Sequence, residues 1–447
     1  MLVEKKKSTN VGTRVLKILL FMYVFFPFRI KPLASLQAYI LYAVELILIV
    51  SFSVEVYYNN VRRKKWYPIF MFIFLFGCLT ILALILPIIK NTGDMTYFMR
   101  YCSFLKKMMA VIGLAYLSES FNDFLKMFVY ATTIYVLVTV VMLIPSIHSI
   151  YSDLVVIQES ALRDYQLLQS ARYYTRIGLQ GLSGYGWAFR CSFSVALCCC
   201  GYIIRSLDFS FSDIIFCGLI NFLGTIFYGR TGTIIAIVCI IFTAGYHFFL
   251  QRKGGLVVFL SCASLLLILI FAYSIEYIQG NASLSWIFEG FLNIAQSGKF
   301  STNSTTYILD KMFVQISADT FFFGDARYTE ASGLYYMGTD LGIIRPLLFW
   351  GIGGQIIYYV MPLTLLFPIK KHLNNKHSVF LFSIIVLVFV GFELKGEINL
   401  EFCIILLGMY LALIRGTFSE RLCLKFKKSY SYVQEKTDML KLDEGEI

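Results

Sequence analysis

Long apolar blocks are the feature that most limits what this chain can fold into. The apolar residues run together in blocks of about 18 to 25, the length a helix needs to cross a hydrocarbon core of roughly 30 Å. Over the whole chain, 58% of residues are apolar and 15% are charged, against roughly a quarter charged in soluble domains. The pattern excludes a soluble enzyme and predicts an all-α polytopic integral membrane protein.

The blocks predict about twelve transmembrane helices in one membrane domain, residues 1–414, followed by a tail at 415–447. The first block has basic residues before it but no small-residue cleavage site, so we expect a retained helix rather than a signal peptide. The fourth block is interrupted by Lys106 and Lys107, yet it must cross if the later basic loops are to share one side. The predicted helices are Val15–Phe28, Leu33–Tyr57, Tyr67–Ile89, Phe98–Leu117, Phe124–Pro145, Gly186–Ile204, Ile214–Tyr228, Thr231–Leu250, Gly255–Ile275, Leu341–Phe367, His377–Phe392 and Ile398–Ile414.

The distribution of positive charge orients these helices. The formal net charge is +12, and basic clusters such as Arg62–Lys65, Arg252-Lys253 and Lys370-Lys371 all fall on one side, as expected for cytoplasmic loops. Because the positive charges lie in short loops beside apolar blocks, the expected partner is the lipid bilayer and not nucleic acid. This orientation predicts cytoplasmic N- and C-termini and two large extracytoplasmic loops, at about 146–185 and 276–340.

Two arginines lie where predicted helices meet the outer face. Arg230 stands between Gly229 and Gly232 in a tight hairpin, and a guanidinium beside glycines and a helix start suits a phosphate. Arg345 lies about one turn inside the tenth predicted helix, where an arginine needs an anion or a water-filled cavity. Asp340 is expected to cap the start of that helix. An interfacial arginine in a turn remains the alternative for Arg230.

Further candidates lie in the last outer turn and in the large loops. Glu393, Lys395 and Glu397 could supply a base or a second phosphate contact, or could form an ordinary solvated turn. Three arginines of the large loops are candidates to contact substrate, with an ordinary surface charge as the alternative for each: Arg172, Arg176 and Arg327. No metal site and no nucleotide-binding motif is predicted.

The segment Gly338-Thr339-Asp340-Leu341-Gly342-Ile343-Ile344-Arg345, followed by Phe349-Trp350-Gly351, resembles the exit of the second large loop in Wzy-type bacterial polysaccharide polymerases. The Gly229–Gly232 hairpin is similar too, as is the layout of about twelve helices with two large outer loops. Some members of that family carry an arginine and a glycine at a fixed spacing in the large loops, which Arg327 and Gly338 match.

The resemblance implies glycosyl transfer at the outer face of the bacterial cytoplasmic membrane. Oligosaccharide repeat units carried on undecaprenyl pyrophosphate would be joined into a surface polysaccharide, without a metal or other cofactor. Other polysaccharide assembly proteins, such as a flippase and a chain-length regulator, would be partners. It implies pyrophosphate binding by Arg230, Arg345 and Lys395 and a base among three carboxylates, in the order Asp340, Glu393, Glu397.

Two other functions fit the same layout. A lipid-linked oligosaccharide flippase or transporter also has about twelve helices, but it has little use for a 65-residue outer loop such as that predicted at about 276–340. The O-antigen ligases share the architecture but resemble one another in a histidine of the large outer loop, and residues 276–340 contain none. A polymerase is therefore expected, with a flippase as the main alternative and a ligase below it.

Overall fold

The chain is a helical membrane protein. The structure is a computed structural model that describes residues 11–58, 65–142, 144–156, 177–178, 181–182, 184–251, 274–280, 285, 288–299, 301–302, 306, 308–330, 333–373 and 378–416. Within these ranges, seven helices are long and apolar enough to cross a membrane. A further apolar helix at Ser378–Glu393 is shorter.

The described helices follow the apolar blocks of the sequence. A two-residue antiparallel pair joins Ile177–Gly178 to Gly181–Leu182. In chain order the helices are α1 (Val11–Phe25), α2 (Ala34–Tyr58), α3 (Tyr67–Ile89), α4 (Thr96–Leu117), α5 (Phe121–Met142), α6 (Pro145–Leu154), α7 (Tyr185–Ile203), α8 (Phe211–Tyr228), α9 (Arg230–Gln251), α10 (Ile275–Gly280), α11 (Glu289–Ser297), α12 (Ala318–Phe323), α13 (Arg345–Leu373), α14 (Ser378–Glu393) and α15 (Asn399–Gly416).

Most predicted helices have a counterpart within a few residues of their expected ends. Helix α3 has the predicted bounds, whereas α13 begins at Arg345 and not at Leu341. Residues 341–344 form a turn before it, so the expectation that Asp340 caps this helix is wrong. The predicted helix Gly255–Ile275 lies almost entirely outside the described residues.

Polar groups cluster at the two ends of the bundle, which we call the lower and the upper end. At the lower end, Lys17 of α1 lies 3.6 Å from Asp123 of α5, and Arg415 of α15 lies 3.1 Å from Glu55 of α2. At the upper end, α4, α7, α9, α13 and α15 all begin around one cavity. Helix α4 therefore runs the length of the bundle, because Arg100 near its start lies at the upper end while Arg415 donates to the carbonyl of Ser118 after its last turn.

Helix α13 is interrupted where the second large loop packs against it. Gly351 has φ 69° and ψ −175°, a conformation essentially confined to glycine. Gly324, which ends α12, has φ 67° and lies directly against Gly351. The amides of Asp325 and Ala326 donate to the carbonyls of Leu348 and Phe349, at 2.6 and 3.2 Å. The loop thus satisfies carbonyl groups that the interruption leaves without helical partners.

The centre of the bundle is formed by α7 and α15, the spans with the largest buried share, 78% each. Aromatic side chains fill the space around them, and Phe389 of α14 stacks on Phe402 of α15 with ring centroids 4.5 Å apart. Two charged residues, Arg190 of α7 and Glu401 of α15, meet within this centre at 2.6 Å. An ion pair therefore lies among the aromatic side chains at the centre of the bundle.

Candidate functional site

A cavity of about 700 Å³ opens at the upper end of the bundle. Its wall comes from the α8–α9 hairpin, the start of α13, the turn between α14 and α15, and part of the second large loop. Its size lies within the usual range for small-molecule sites, roughly 300 to 1,000 Å³. The charged residues of its wall are Arg100, Arg230, Asp340, Arg345, Lys395 and Glu397. Five of them are residues that the sequence predicted, and they come from three separate segments.

Arg345 is the most enclosed cation of the cavity. Only 7% of it is exposed, and its guanidinium carbon lies 3.6 Å from the ring centroid of Tyr328 and 4.0 Å from that of Tyr335. Its Nη1 lies 3.7 Å from Oε2 of Glu397. Its Nη2 is buried and makes no hydrogen bond to any described residue. The two rings are perpendicular to each other and together hold the guanidinium in place, and its planar fork is suited to bind an anion bidentately.

Glu397 is shared by two arginines. Its Oε2 accepts a hydrogen bond from Arg100, lies near Arg345, and accepts from the Tyr328 hydroxyl at 3.2 Å. Its Oε1 is buried and has no hydrogen-bond partner among the described residues. Because Oε2 already lies between two guanidinium groups, we assign Glu397 to positioning them rather than to accepting a proton.

Asp340 is the carboxylate of the cavity best placed to accept a proton. It is half-buried, and its Oδ1 has no hydrogen-bond partner in the described part of the chain. Burial raises the pKa of Asp340 above its ordinary value, while the positive charges of Lys395 and Arg345 oppose that rise. A half-buried carboxylate on the cavity wall with a raised pKa, and with no guanidinium of a described residue bound to it, has the properties of a general base.

Arg230 is the first residue of α9 and forms an ion pair with Glu289, the first residue of α11. This pair places the start of α11, part of the second large loop, over the α8–α9 hairpin. The neighbouring Gly232 lies close to α7, where an added Cβ would meet Cβ of Ala188 at 3.0 Å. The glycine therefore serves the packing of the hairpin, and the arginine faces the cavity.

The remaining predicted residues lie elsewhere. Glu393 is 3% exposed and accepts hydrogen bonds from the amides of Ile398 and Asn399, at 2.7 and 2.6 Å, and from two tyrosine hydroxyls. It joins the end of α14 to the start of α15 and is absent from the cavity wall. Arg327 is exposed and lies over the ring of Tyr336. The candidates Arg172 and Arg176 lie outside the described residues.

Sequence reasoning did not predict three residues of the site: Arg100, Tyr328 and Glu289. Arg100 could have been found from the sequence, because it is a charge inside a predicted helix.

Tyr328 is positioned by Asp94, a residue far from it in the sequence. The Oδ2 atom of Asp94 accepts hydrogen bonds from the amides of Tyr328 and Thr329 at 2.7 and 2.8 Å. Burial alone would raise the pKa of Asp94, but these bonds and those from Thr96 lower it below its ordinary value.

Within the described ranges, no group of three histidine, cysteine or acidic side chains is arranged to hold a metal ion. Comparison with known proteins gives no match to this chain among protein families, curated proteins or solved structures.

Proposed function

We propose that this chain is a metal-independent glycosyltransferase that polymerises oligosaccharide repeat units carried on undecaprenyl pyrophosphate. The observation that carries the proposal is the convergence on one cavity of Arg345, which lies against two tyrosine rings, and Asp340. An anion-binding group beside a base is what transfer of a sugar from a diphosphate requires.

The proposal includes a topology of about twelve spans, with both termini in the cytoplasm of a bacterium and the cavity at the outer face of its cytoplasmic membrane. Two observations support it. The basic loops of the sequence fall on one predicted side, and the cavity lies at the end where α4, α7, α9, α13 and α15 begin. Those starts are the ones that the sequence assigns to the outer side.

In the proposed reaction, the pyrophosphate of the donor binds Arg345, Arg230 and Lys395. The acceptor hydroxyl oxygen bonds to the anomeric carbon of the donor sugar, while the bond from that carbon to the pyrophosphate oxygen breaks. Asp340 receives the hydroxyl proton, and undecaprenyl pyrophosphate leaves with the electron pair. The three cations stabilise the negative charge that develops on the leaving group. Arg230 must exchange Glu289 for phosphate, so donor binding displaces the start of α11.

Deleting the gene in its host tests the reaction class. We expect the surface glycan, resolved by size on a gel, to change from long chains to a product carrying a single repeat unit. The repeat unit still reaches the outer face in such a strain but is not extended. Loss of all outer glycan with accumulation of lipid-linked repeats inside the cell would instead identify a flippase, and the polymerase proposal would be rejected.

Asp340→Asn is expected to lower the initial rate of polymerisation by about a hundredfold or more, which is the usual contribution of a general base. Since only the ionised carboxylate accepts a proton, wild-type activity should fall as the pH decreases through the raised pKa of Asp340. The residual activity of Asp340→Asn should lack that acidic limb. Initial rates on purified lipid-linked repeat units over a pH series measure both effects.

The matched control is Asp319→Asn, because the Asp319 side chain is 73% exposed and pairs with Lys90 away from the cavity. That variant should keep wild-type rates and the wild-type pH profile. An Asp340→Asn enzyme with an unchanged pH profile would remove Asp340 as the base.

A further inference from the structure

A second cavity of about 640 Å³ lies beside the first, between α4 and the start of α15. Four residues of α4 that share one helical face form one side of it: Thr96, Arg100, Ser103 and Lys107. Glu397 and Glu401 form the opposite side. Arg100 and Glu397 also belong to the first cavity, so their ion pair is a wall between the two.

The charges at the deep end of this cavity do not balance. Glu401 pairs with Lys107 of α4 and with Arg190 of α7, so two cations share one carboxylate. Arg190 is 3% exposed, and its Nε and Nη1 make no hydrogen bond to any described residue. Lys107 lies eleven residues after Thr96, or about 16 Å along the helix. A net positive charge at such a depth is costly in a membrane unless an anion or water compensates it.

The surroundings of the cavity match an amphiphile rather than a soluble anion. Apolar residues Met95, Phe104 and Leu400 line the cavity together with its charges. Met99, also in its wall, is 63% exposed, so the cavity reaches the lateral surface of α4. An apolar chain can therefore leave the cavity beside Met99 while its charged head group lies between Arg100 and Lys107.

We propose that the second cavity binds the phosphate head group of a second isoprenoid lipid, separate from the donor in the first cavity. The inference rests on the proposed function, since a transferase that joins two lipid-linked units must hold both at once. Arg100 and Lys107 contact the phosphate, and Arg190 adds positive charge from behind Glu401. The Arg100–Glu397 wall keeps the two head groups apart while leaving the sugars of both lipids on the same face of the bundle.

Native mass spectrometry of the delipidated full-length protein with added undecaprenyl phosphate tests this inference. We expect two lipid molecules per wild-type chain and one for Lys107→Met, in which Glu401 keeps its partner Arg190. Lys106→Met is the matched control, because Lys106 is adjacent and exposed but absent from the cavity wall, and it should still bind two. Ser103→Leu, which fills the cavity without removing a charge, should also bind one. Arg345→Ala should lose the other molecule.

The outcomes separate the inference from the proposed function. A stoichiometry of one that depends on Arg345 and not on Lys107 would overturn the second site and leave the proposed function standing. Binding that is insensitive to Arg345 would reject the first cavity as the donor site. Phosphatidylglycerol in equal amount should not displace the lipid that depends on Lys107. If it does, the occupant is an ordinary phospholipid and the isoprenoid assignment is overturned.

Discussion

Arg345→Ala is expected to abolish polymer formation while the protein remains in the membrane at its normal level. The guanidinium lies between Tyr328 and Tyr335 with Nη2 facing no described partner, so the variant removes a fixed cation that would stabilise the leaving pyrophosphate. Loss of one such group typically costs about 10² to 10³ in rate. Complementation of a deletion strain, followed by a gel of the surface glycan and an immunoblot of membranes, measures both parts.

Two further variants sharpen this result. Arg345→Lys should fail almost as completely, because an ammonium group cannot lie flat on an aromatic ring or bind phosphate bidentately. Arg230→Ala should also abolish polymerisation, since it removes the second proposed phosphate ligand. Arg327→Ala is the matched control, because it makes the same substitution at an arginine that is exposed and outside the cavity. This variant should give polysaccharide chains of normal length. Long polymer from either Arg230→Ala or Arg345→Ala would rule out that arginine as a pyrophosphate ligand.

Gly351→Ala is expected to give the largest loss of stability among single methyl additions to α13. A Cβ at Gly351 would lie 2.3 Å from the carbonyl oxygen of Phe322, and the residue has a φ of 69° that alanine rarely adopts. Backbone strain of about 1–3 kcal/mol and overpacking of about 1–3 kcal/mol both act here. The free energy of unfolding should therefore fall by about 2–6 kcal/mol.

Gly353→Ala provides the control two positions along the same helix. An added Cβ there meets no atom within 4 Å, so this variant should match or exceed wild-type stability, since alanine favours helix by about 1 kcal/mol. Thermal unfolding of the purified proteins in detergent compares them directly. Equal melting temperatures for Gly351→Ala and wild type would mean that the close contact with α12 is not maintained in the purified protein.

Much of the helical framework could be predicted because a spanning helix needs a long continuous run of apolar residues, and such runs can be recognised in the sequence. The bounds of α3 followed from its apolar run alone. The start of α13 did not, because Leu341 and Ile344 are apolar residues of a turn that pack with Met312 of the loop. Composition cannot distinguish an apolar turn buried by a distant segment from the first turn of a helix.

Some residues of the candidate site could also be predicted from the sequence. Few charges lie on the predicted outer side in a short turn or just inside a helix, so Arg230, Arg345 and Lys395 could be selected without knowing that they meet. Whether these residues converge depends on which helices pack against each other, and a single sequence does not show that. Glu393 shows the limit, because its local sequence is as polar as that of Glu397. Only the fold shows that backbone amides of the following turn occupy its carboxylate.

Because Gly324 and Gly351 are in backbone contact, the second large loop and α13 can be exchanged only together. Neither backbone can approach the other if either position acquires a side chain. The hydrogen bonds from Asp325 and Ala326 also depend on the same interruption of the helix. A chimaera that exchanges this loop with that of another protein must therefore carry α13 with it. Under the proposed function, variation in sugar specificity would arise in stretches of the loop that lie away from this glycine pair.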